Sequence, residues 1–552
     1  MALAASLLLV LGLFPVLAGQ QPSAADGALI NGRIFTLDPE KPWAEAVAMK
    51  DGRFAAVGSS NEIRRLIGPA TKVMDVRGKL VIPGLIDAHV HFASGGRSLA
   101  SLTFRGVRSV EKIQELVAAK IRELPAGETV FGSQFDQTLF PGQKWPAKED
   151  LDAVSPGNAV VIDRVDGRSV WVNSEALRQS GITKDTKDPF GGEIVRDAAT
   201  GEPTGILKEA AAVLLKVKKP ASETTPKEDI EHALTYAAGL GLTGVHTSAS
   251  LEELEILKQI RAENNLTLRV YAWLPAEDID KYIAQGLKPG QGDNRIKIGF
   301  VDASIDGTLG SGTALMFEPF TDDPLKIGLP RYPENDLDAL IEKATKNGYR
   351  VGVQAVGDKG IRWVLDGVER AQKKFGKKDL RPRIEHAEII GPGDVKRFKT
   401  LGVIASMQPA QCTTDLRFCE ARIGPERSKN ASVWRSLLQA GAHVAFGSGW
   451  PVEPLDPMRG LYSAVTRKNI ETDSPPGGWF PEQRLPLSQA IELFTLSPAY
   501  ASFEENEKGS IQPGKLADMV VLSKDFFRLD PKEILTTEVL FTIVGGKIVY
   551  NK

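Results

Sequence analysis

The sequence predicts an α/β fold: a (β/α)8 TIM barrel, a small β-sandwich domain built from both chain ends, and an α+β insertion after the first barrel strand. Three observations carry that expectation. Short apolar runs recur at 81–88, 243–247, 267–274, 295–302, 349–355, 383–387, 402–407 and 443–448, separated by helical periodicity such as that of 251–264. Strands that alternate with helices build a parallel sheet, and eight such units close a barrel. Both chain ends read differently, as short strands around Asn31-Gly32, Asp51-Gly52 and Gly545-Gly546, which are strong hairpin signals. Residues 95–226, rich in Gly, Pro and Asp, interrupt the alternation after the first strand. The expected division is therefore a β-domain of 28–80 and 505–552 enclosing a barrel of 81–504.

The N-terminus has its own pattern. Leu7 to Ala18 is apolar but too short to span a bilayer comfortably, and Val16 and Ala18 stand at −3 and −1 of a cleavage site. Residues 1–18 are expected to be a signal peptide and 19–27 a flexible mature start, which places the protein outside the cytoplasm, periplasmic or extracellular. No other segment reads as a membrane span. The two cysteines, Cys412 and Cys419, are permitted a disulfide after export, and the sequence leaves pairing and free thiols both open. The 552 residues are 42% hydrophobic and 25% charged with a net charge of −2. That balance is ordinary for a soluble enzyme and gives no electrostatic ground for a nucleic-acid or anionic-membrane partner. A small-molecule substrate is the expected partner, and a homo-oligomer is compatible with it.

The first barrel strand reads VIPGLIDAHVHF over residues 81–92 and ends in His89 and His91. Side chains two apart on a strand share a face, so both imidazoles point the same way. Imidazole suits zinc, iron and manganese, and two of the chain's six histidines stand here, half of a metal site. Barrel active sites sit at the C-terminal ends of the strands, where His89, His91, Gln354, His386 and Gly449 all fall.

The motifs run nearly end to end: NGRIFTLD, VIPGLIDAHVHF, LDAVSPGNAVVIDRVDGRSVWVNSEAL, DASIDGTLGS, VQAVGDKG, RIEHAEII, SMQPAQCTTD, GSGWPVEPLDP and GSIQPGKLADMVVL. Together they resemble the amidohydrolase superfamily, in its amidohydrolase-3 branch of N-substituted formamide deformylase-like proteins. The resemblance implies a metal-dependent hydrolase of carbon–nitrogen bonds other than peptide bonds. It implies His89, His91 and His386 as ligands of a divalent ion, zinc first, and Lys297 as a bridging group in carbamylated form. Four positions depart from the pattern. Gln354 replaces a histidine of the fifth strand, Gly449 an aspartate of the eighth, Cys412 a histidine after Gln408-Pro409, and Arg168 a histidine after Asp166-Gly167.

These departures leave one metal with three nitrogen ligands and an open position for water. They also remove the usual proton carrier. Asp358, Asp306 and Asp302 are the candidate replacements, and Arg168, Gln354, Cys412 and Trp450 the candidate substrate-binding residues. His246 ends the second strand and is a further candidate for the mouth; His232 reads as a surface residue and His443 as structural. Two readings stay open: a hydrolase with a reduced, mononuclear site, and a catalytically degenerate barrel that only binds.

Overall fold

The computed structural model describes residues 24–125, 127–218 and 224–552. The expected signal peptide lies outside them. Eight parallel strands form the barrel: β1 Leu85–Val90, β2 Leu242–Ser248, β3 Arg269–Pro275, β4 Ile296–Ser304, β5 Val351–Ala355, β6 Arg383–His386, β7 Ile404–Met407 and β8 His443–Phe446. They pair in sequence order. The seam between β8 and β1 closes just beyond the strand ends, where Gly449 N–H donates to the His89 carbonyl (2.8 Å) and His91 N–H to the Trp450 carbonyl (2.8 Å).

The first apolar run divides at Pro83-Gly84. Leu80–Pro83 belongs to the end domain, where it pairs antiparallel with Met519–Leu522, Val520 opposite Ile82. The barrel strand starts only at Leu85. A Cβ at Gly84 would collide with the Thr243 side chain, so glycine lets the chain pass from one domain to the other against β2.

The end domain is two facing sheets of four and six strands, the second including the C-terminal strands Met519–Leu522, Val539–Val544 and Lys547–Asn551. Leu29, Val47, Phe54, Val81, Met519, Val521 and Ile543 form one buried cluster between them. Asp51 (φ 50°) and Gly52 (φ 75°) make the expected tight turn, as do Gly545 (φ 59°) and Gly546 (φ 73°). Asn31-Gly32 does not make a hairpin. The strands it joins, Gly27–Ile30 and Arg33–Phe35, lie in different sheets, and Asn31 (φ 55°) turns the chain from one to the other.

The insertion carries a five-stranded mixed sheet with helix Val110–Glu123 and its own buried clusters around Trp171 and Leu207. The chain returns to the barrel through helix Pro226–Gly239, capped by Thr225 and Glu228 in a capping box. Among the described residues no helix is long and apolar enough to cross a membrane.

Candidate active site at the barrel mouth

Three imidazoles meet at the C-terminal end of the barrel. The ring of His89 lies 5.5 Å from that of His91 and 4.9 Å from that of His386, centroid to centroid. His89, at the end of β1, is fixed by its neighbours. Its Nδ1 lies 2.7 Å from Glu385 Oε2. Arg383 grips the same carboxylate, Nε on Oε1 at 2.7 Å and Nη2 on Oε2 at 3.1 Å. Burial alone would raise the Glu385 carboxyl, but the Arg383 charge and the bond from His89 outweigh it and hold the group down at about 2. A carboxylate accepts only, so His89 Nδ1 is the protonated nitrogen, and Nε2 is left buried with no partner among the described residues.

His386 ends β6 in an unusual conformation. Its φ is 70° and that of Ala387 is 47°, two successive left-handed residues without a glycine. Such backbone is costly and clusters at functional sites. It turns the imidazole out of the strand's alternation, with Nδ1 3.5 Å from Glu388 Oε1 and without a hydrogen-bond partner among the described residues. Burial, then the neighbouring histidine and arginine charges, hold His91 neutral down to about 3. Burial and then Arg168 do the same for His386 down to about 4. Neutral imidazole is the form that binds metal.

Arg168 reaches the mouth from the insertion. It donates to Gln354 Oε1 at the end of β5, and its Nη1 stands 3.7 Å from Glu209. The neutral amide at 354 thus serves an arginine. The seam beneath His89 depends on Asp87, whose Oδ1 accepts from His89 N–H at 3.0 Å and whose two oxygens each accept from Ser448 N–H at 3.0 Å. A Cβ at Gly447 would sit 2.5 Å from His89 N and 2.6 Å from Asp87 Oδ1, so only glycine fits there. At Gly449 (φ 75°) the space is more open, the nearest atom being Gln408 Cγ at 3.4 Å.

Other candidates stand elsewhere. Lys297 is the second residue of the nine in β4, at the stability end, where its ammonium pairs with Glu504 at 2.7 Å. It does not reach the mouth, because the strand is long and the lysine lies at its start. Asp302 occupies the later part of the same strand, half-buried, and burial, then Glu385 and Glu277, push its carboxyl well above the usual range. Asp306 is wholly buried and accepts from the backbone of Leu315, Val356 and Gly357; burial moves it up to about 7, but it acts as a loop clamp. Asp358 opens helix Asp358–Phe375 and ties Phe317 N–H at 2.9 Å. Trp450 packs between Phe92 and Tyr236 over Gly95 rather than lining the mouth. His246 lies lower in the barrel, where its Nδ1 accepts from Arg383 at 2.9 Å. Cys412 lines a cavity beside His386, and Cys419 lies seven residues on along the same helix, Pro409–Ser428. Two helical turns separate them by about 10 Å, beyond disulfide reach, and both are free and buried.

Sequence reasoning missed Asp87, Arg383 and Glu385. Part of the signal was there: Asp87 is a charged residue inside the apolar run of β1, and Arg383 and Glu385 flank Ile384 in the short strand β6, where charges are almost never fully buried unless paired. It also passed over Glu388 and Asp415. Burial, then Asp166, push Glu388 up to about 8; burial, then Glu388, push Asp415 well above the usual range.

The chemistry of the three histidines suits a divalent ion: they are neutral, and two ring nitrogens have no partner among the described residues. Two imidazoles on one zinc, with metal–nitrogen distances of about 2.0–2.1 Å at a tetrahedral angle, have centroids roughly 5 Å apart, close to the spacing seen. Among the described residues, however, no group of three or more His, Cys, Asp or Glu side chains is already gathered as a coordination set.

Comparison with known proteins adds an independent line. The model of the amidohydrolase family matches residues 72–550. Protein LONG AFTER FAR-RED 3 of Arabidopsis thaliana is 33% identical over 95% of this chain and 92% of its own length. The N-substituted formamide deformylase of Arthrobacter pascens is 28% identical over 96% of this chain and 98% of its own. An uncharacterized metal-dependent hydrolase from Pyrococcus horikoshii superposes with a TM-score of 0.72 at 27% identity, covering 92% of this chain and 99% of that one.

Proposed function

The chain belongs to the amidohydrolase family, and we propose that it is an exported hydrolase of carbon–nitrogen bonds other than peptide bonds, working with one divalent ion, zinc, at the barrel mouth. The observation that carries this reading is the convergence of His89, His91 and His386, neutral, with His89 Nε2 and His386 Nδ1 buried and unpartnered. These three residues would hold the ion. When bound it supplies a water acidified towards neutrality and a polarised carbonyl. The chain's own groups do the rest. Glu385 keeps the proton of His89 on Nδ1. Trp273, 4.9 Å from the His89 ring and fully buried, closes the floor of the site to water. Arg168, anchored by Gln354 and Glu209, brings a positive charge to the mouth and orients the acyl oxygen. Asp302, on the mouth side of β4, carries the proton to the leaving nitrogen, the part for which position 449 has no side chain. In this reading the ligand set is the three histidines, and Lys297, paired with Glu504 away from the mouth, does not bridge.

The similarity to the Arthrobacter deformylase supports N-formyl and N-acyl amines as the substrates to try first. The test is release of free amine from a panel of such compounds by the zinc-reconstituted protein, with and without chelator. Metal-dependent release is expected. Gln354 and Gly449 favour a second reading, a barrel that binds without turnover, and failure to hydrolyse any compound that it demonstrably binds would select it. Export rests on the apolar run ending at Ala18; N-terminal sequencing of the mature protein is expected to begin at Gly19.

A further inference from the structure

The three histidines are almost closed off. His89 and His386 are 3% and 7% exposed, and His91 is partly exposed. The cavity beside His386 has room for about one water. Water fits there; a substituted amide does not. What closes the mouth is the insertion, and polar groups join it to the barrel. Asp166 Oδ2 accepts from Thr308 Oγ1 at 2.6 Å and from Ser311 Oγ at 2.7 Å, both in the loop after β4. Glu209 Oε1 accepts from Thr313 of the same loop at 2.8 Å. Beyond β8, Arg105 donates to the carbonyls of Pro451 and Val452 at 2.5 and 2.6 Å. Among the described residues no buried apolar cluster holds both insertion and barrel side chains. The clusters around Trp171 and Leu207 contain insertion residues alone, and the barrel cluster contains none of them. A polar interface of this kind lets two domains move, whereas a large apolar one would fix them.

Two features mark the closed form as one the chain can leave. Glu209 has φ 49° and ψ −126°, outside the regions open to a residue with a side chain. Its Oε2 is buried without a hydrogen-bond partner among the described residues, and Arg168 Nη1 at 3.7 Å and Arg331 Nη1 at 3.8 Å stand too far to donate. Parting the insertion from the loop would let water reach that oxygen and relieve it. The roots of the insertion, in contrast, are fixed. The chain leaves the barrel through helix Phe92–Ala100 and rejoins it through helix Pro226–Gly239. These two pack so closely that a Cβ at Gly96 would sit 1.8 Å from the Asp229 carbonyl oxygen, and Arg97 Nε donates to Asp229 Oδ2 at 2.9 Å. We propose that the insertion is a lid. It hinges on that helix pair, the polar clasp at Asp166, Glu209 and Arg105 holds it shut, and the substrate enters when the clasp parts. The lid goes beyond the preceding reading and rests on it only for what enters the mouth.

The test follows the lid with and without catalysis. Ser169 of the insertion and Ser311 of the barrel loop are each 1% exposed, and their hydroxyls lie 2.9 Å apart. In the full zinc-loaded Ser311→Cys protein, labelling by N-ethylmaleimide without denaturant is followed peptide by peptide in a mass spectrometer. Position 311 is expected to react at least tenfold faster than Cys419, which is equally buried but belongs to the barrel cluster. Equal rates, or labelling of neither, overturn the proposal. The double variant Ser169→Cys, Ser311→Cys is then oxidised to a disulfide that bolts the lid. It is expected to release amine from N-butylformamide at least tenfold more slowly than the same protein reduced by a phosphine, while oxidation leaves each single variant unchanged. Undiminished hydrolysis by the bolted protein, its disulfide verified by mass, also overturns the proposal. If the pair forms no bond, the labelling rates decide alone. A chain that labels as expected yet hydrolyses no amide would refute the hydrolase reading and keep the lid.

Discussion

Replacing Glu385 by Gln should separate the ligand-positioning role of that carboxylate from its part in the barrel core. The substitution keeps the shape but removes the charge shared by His89 Nδ1 (2.7 Å) and Arg383 (2.7 and 3.1 Å). Two losses follow. A ligating histidine whose outer partner is removed typically costs 10–100-fold in metal affinity, about 1.4–2.7 kcal/mol. Arg383, at 1% exposure, is left without its counter-charge. Breaking a buried pair usually costs about 3–5 kcal/mol. The lower end is expected here, because the guanidinium keeps Ala88 O, Ser406 Oγ and His246 Nδ1 as acceptors. Competition against a chromophoric chelator measures the first loss, and urea unfolding of the metal-free protein the second. A variant that loses stability but holds zinc as tightly as the unmodified chain would show that Glu385 merely neutralises Arg383, and would refute its role in orienting His89.

Gly447→Ala places a methyl carbon 2.5 Å from His89 N and 2.6 Å from Asp87 Oδ1. Overpacking of that kind costs roughly 1–3 kcal/mol, and zinc affinity should fall with the displaced His89 backbone; unfolding midpoints and the chelator assay check both. Gly449→Asp meets no hard clash, but its φ of 75° is unfavourable to a side chain. It should cost about 1–2 kcal/mol in urea unfolding. The Lys297–Glu504–Lys508 cluster makes a pH-dependent contribution. Burial alone would raise Glu504, but the two lysines bring it to about 2, below its ordinary 4.5. The folded pKa is therefore depressed, so its stabilisation is full above pH 4.5 and is lost as pH falls towards 2. The stability gap between the unmodified chain and Glu504→Gln should shrink across that window, and a gap constant from pH 7 to 3 would contradict the assignment.

Much of this architecture was legible in the sequence because the barrel repeats one pattern. Apolar runs such as those that lead to His89 and Gln354 announce both their type and roughly where they end. Position within a strand was less legible. Lys297 and Asp302 share β4, and only the three-dimensional register assigns one to the stability end and the other to the mouth. The turn at Asn31 had hairpin chemistry, but where its two strands go depends on sheet packing far away in sequence. Gln411 and Cys412 are adjacent on a helix, and both border the cavity, yet it is Gln411 that bridges Glu388 and Asp415. The charge network was hidden for the same reason. Glu385 and His89 are 296 residues apart, and local reading cannot see that they touch. What could be seen was Arg383 and Glu385 two apart in one strand and so on one face, a sign of a charge pair inside the barrel.

The most direct measurement is metal stoichiometry of the zinc-reconstituted chain, by elemental analysis after dialysis, beside the single variants His89→Asn, His91→Asn and His386→Asn. About one tightly held ion per chain is expected in the unmodified protein, with tight binding lost in each variant while its fold, followed by circular dichroism, is kept. Retention of the ion by the His386→Asn protein, or amide hydrolysis by a chain that holds no ion at all, would contradict a metal centre built from these three histidines.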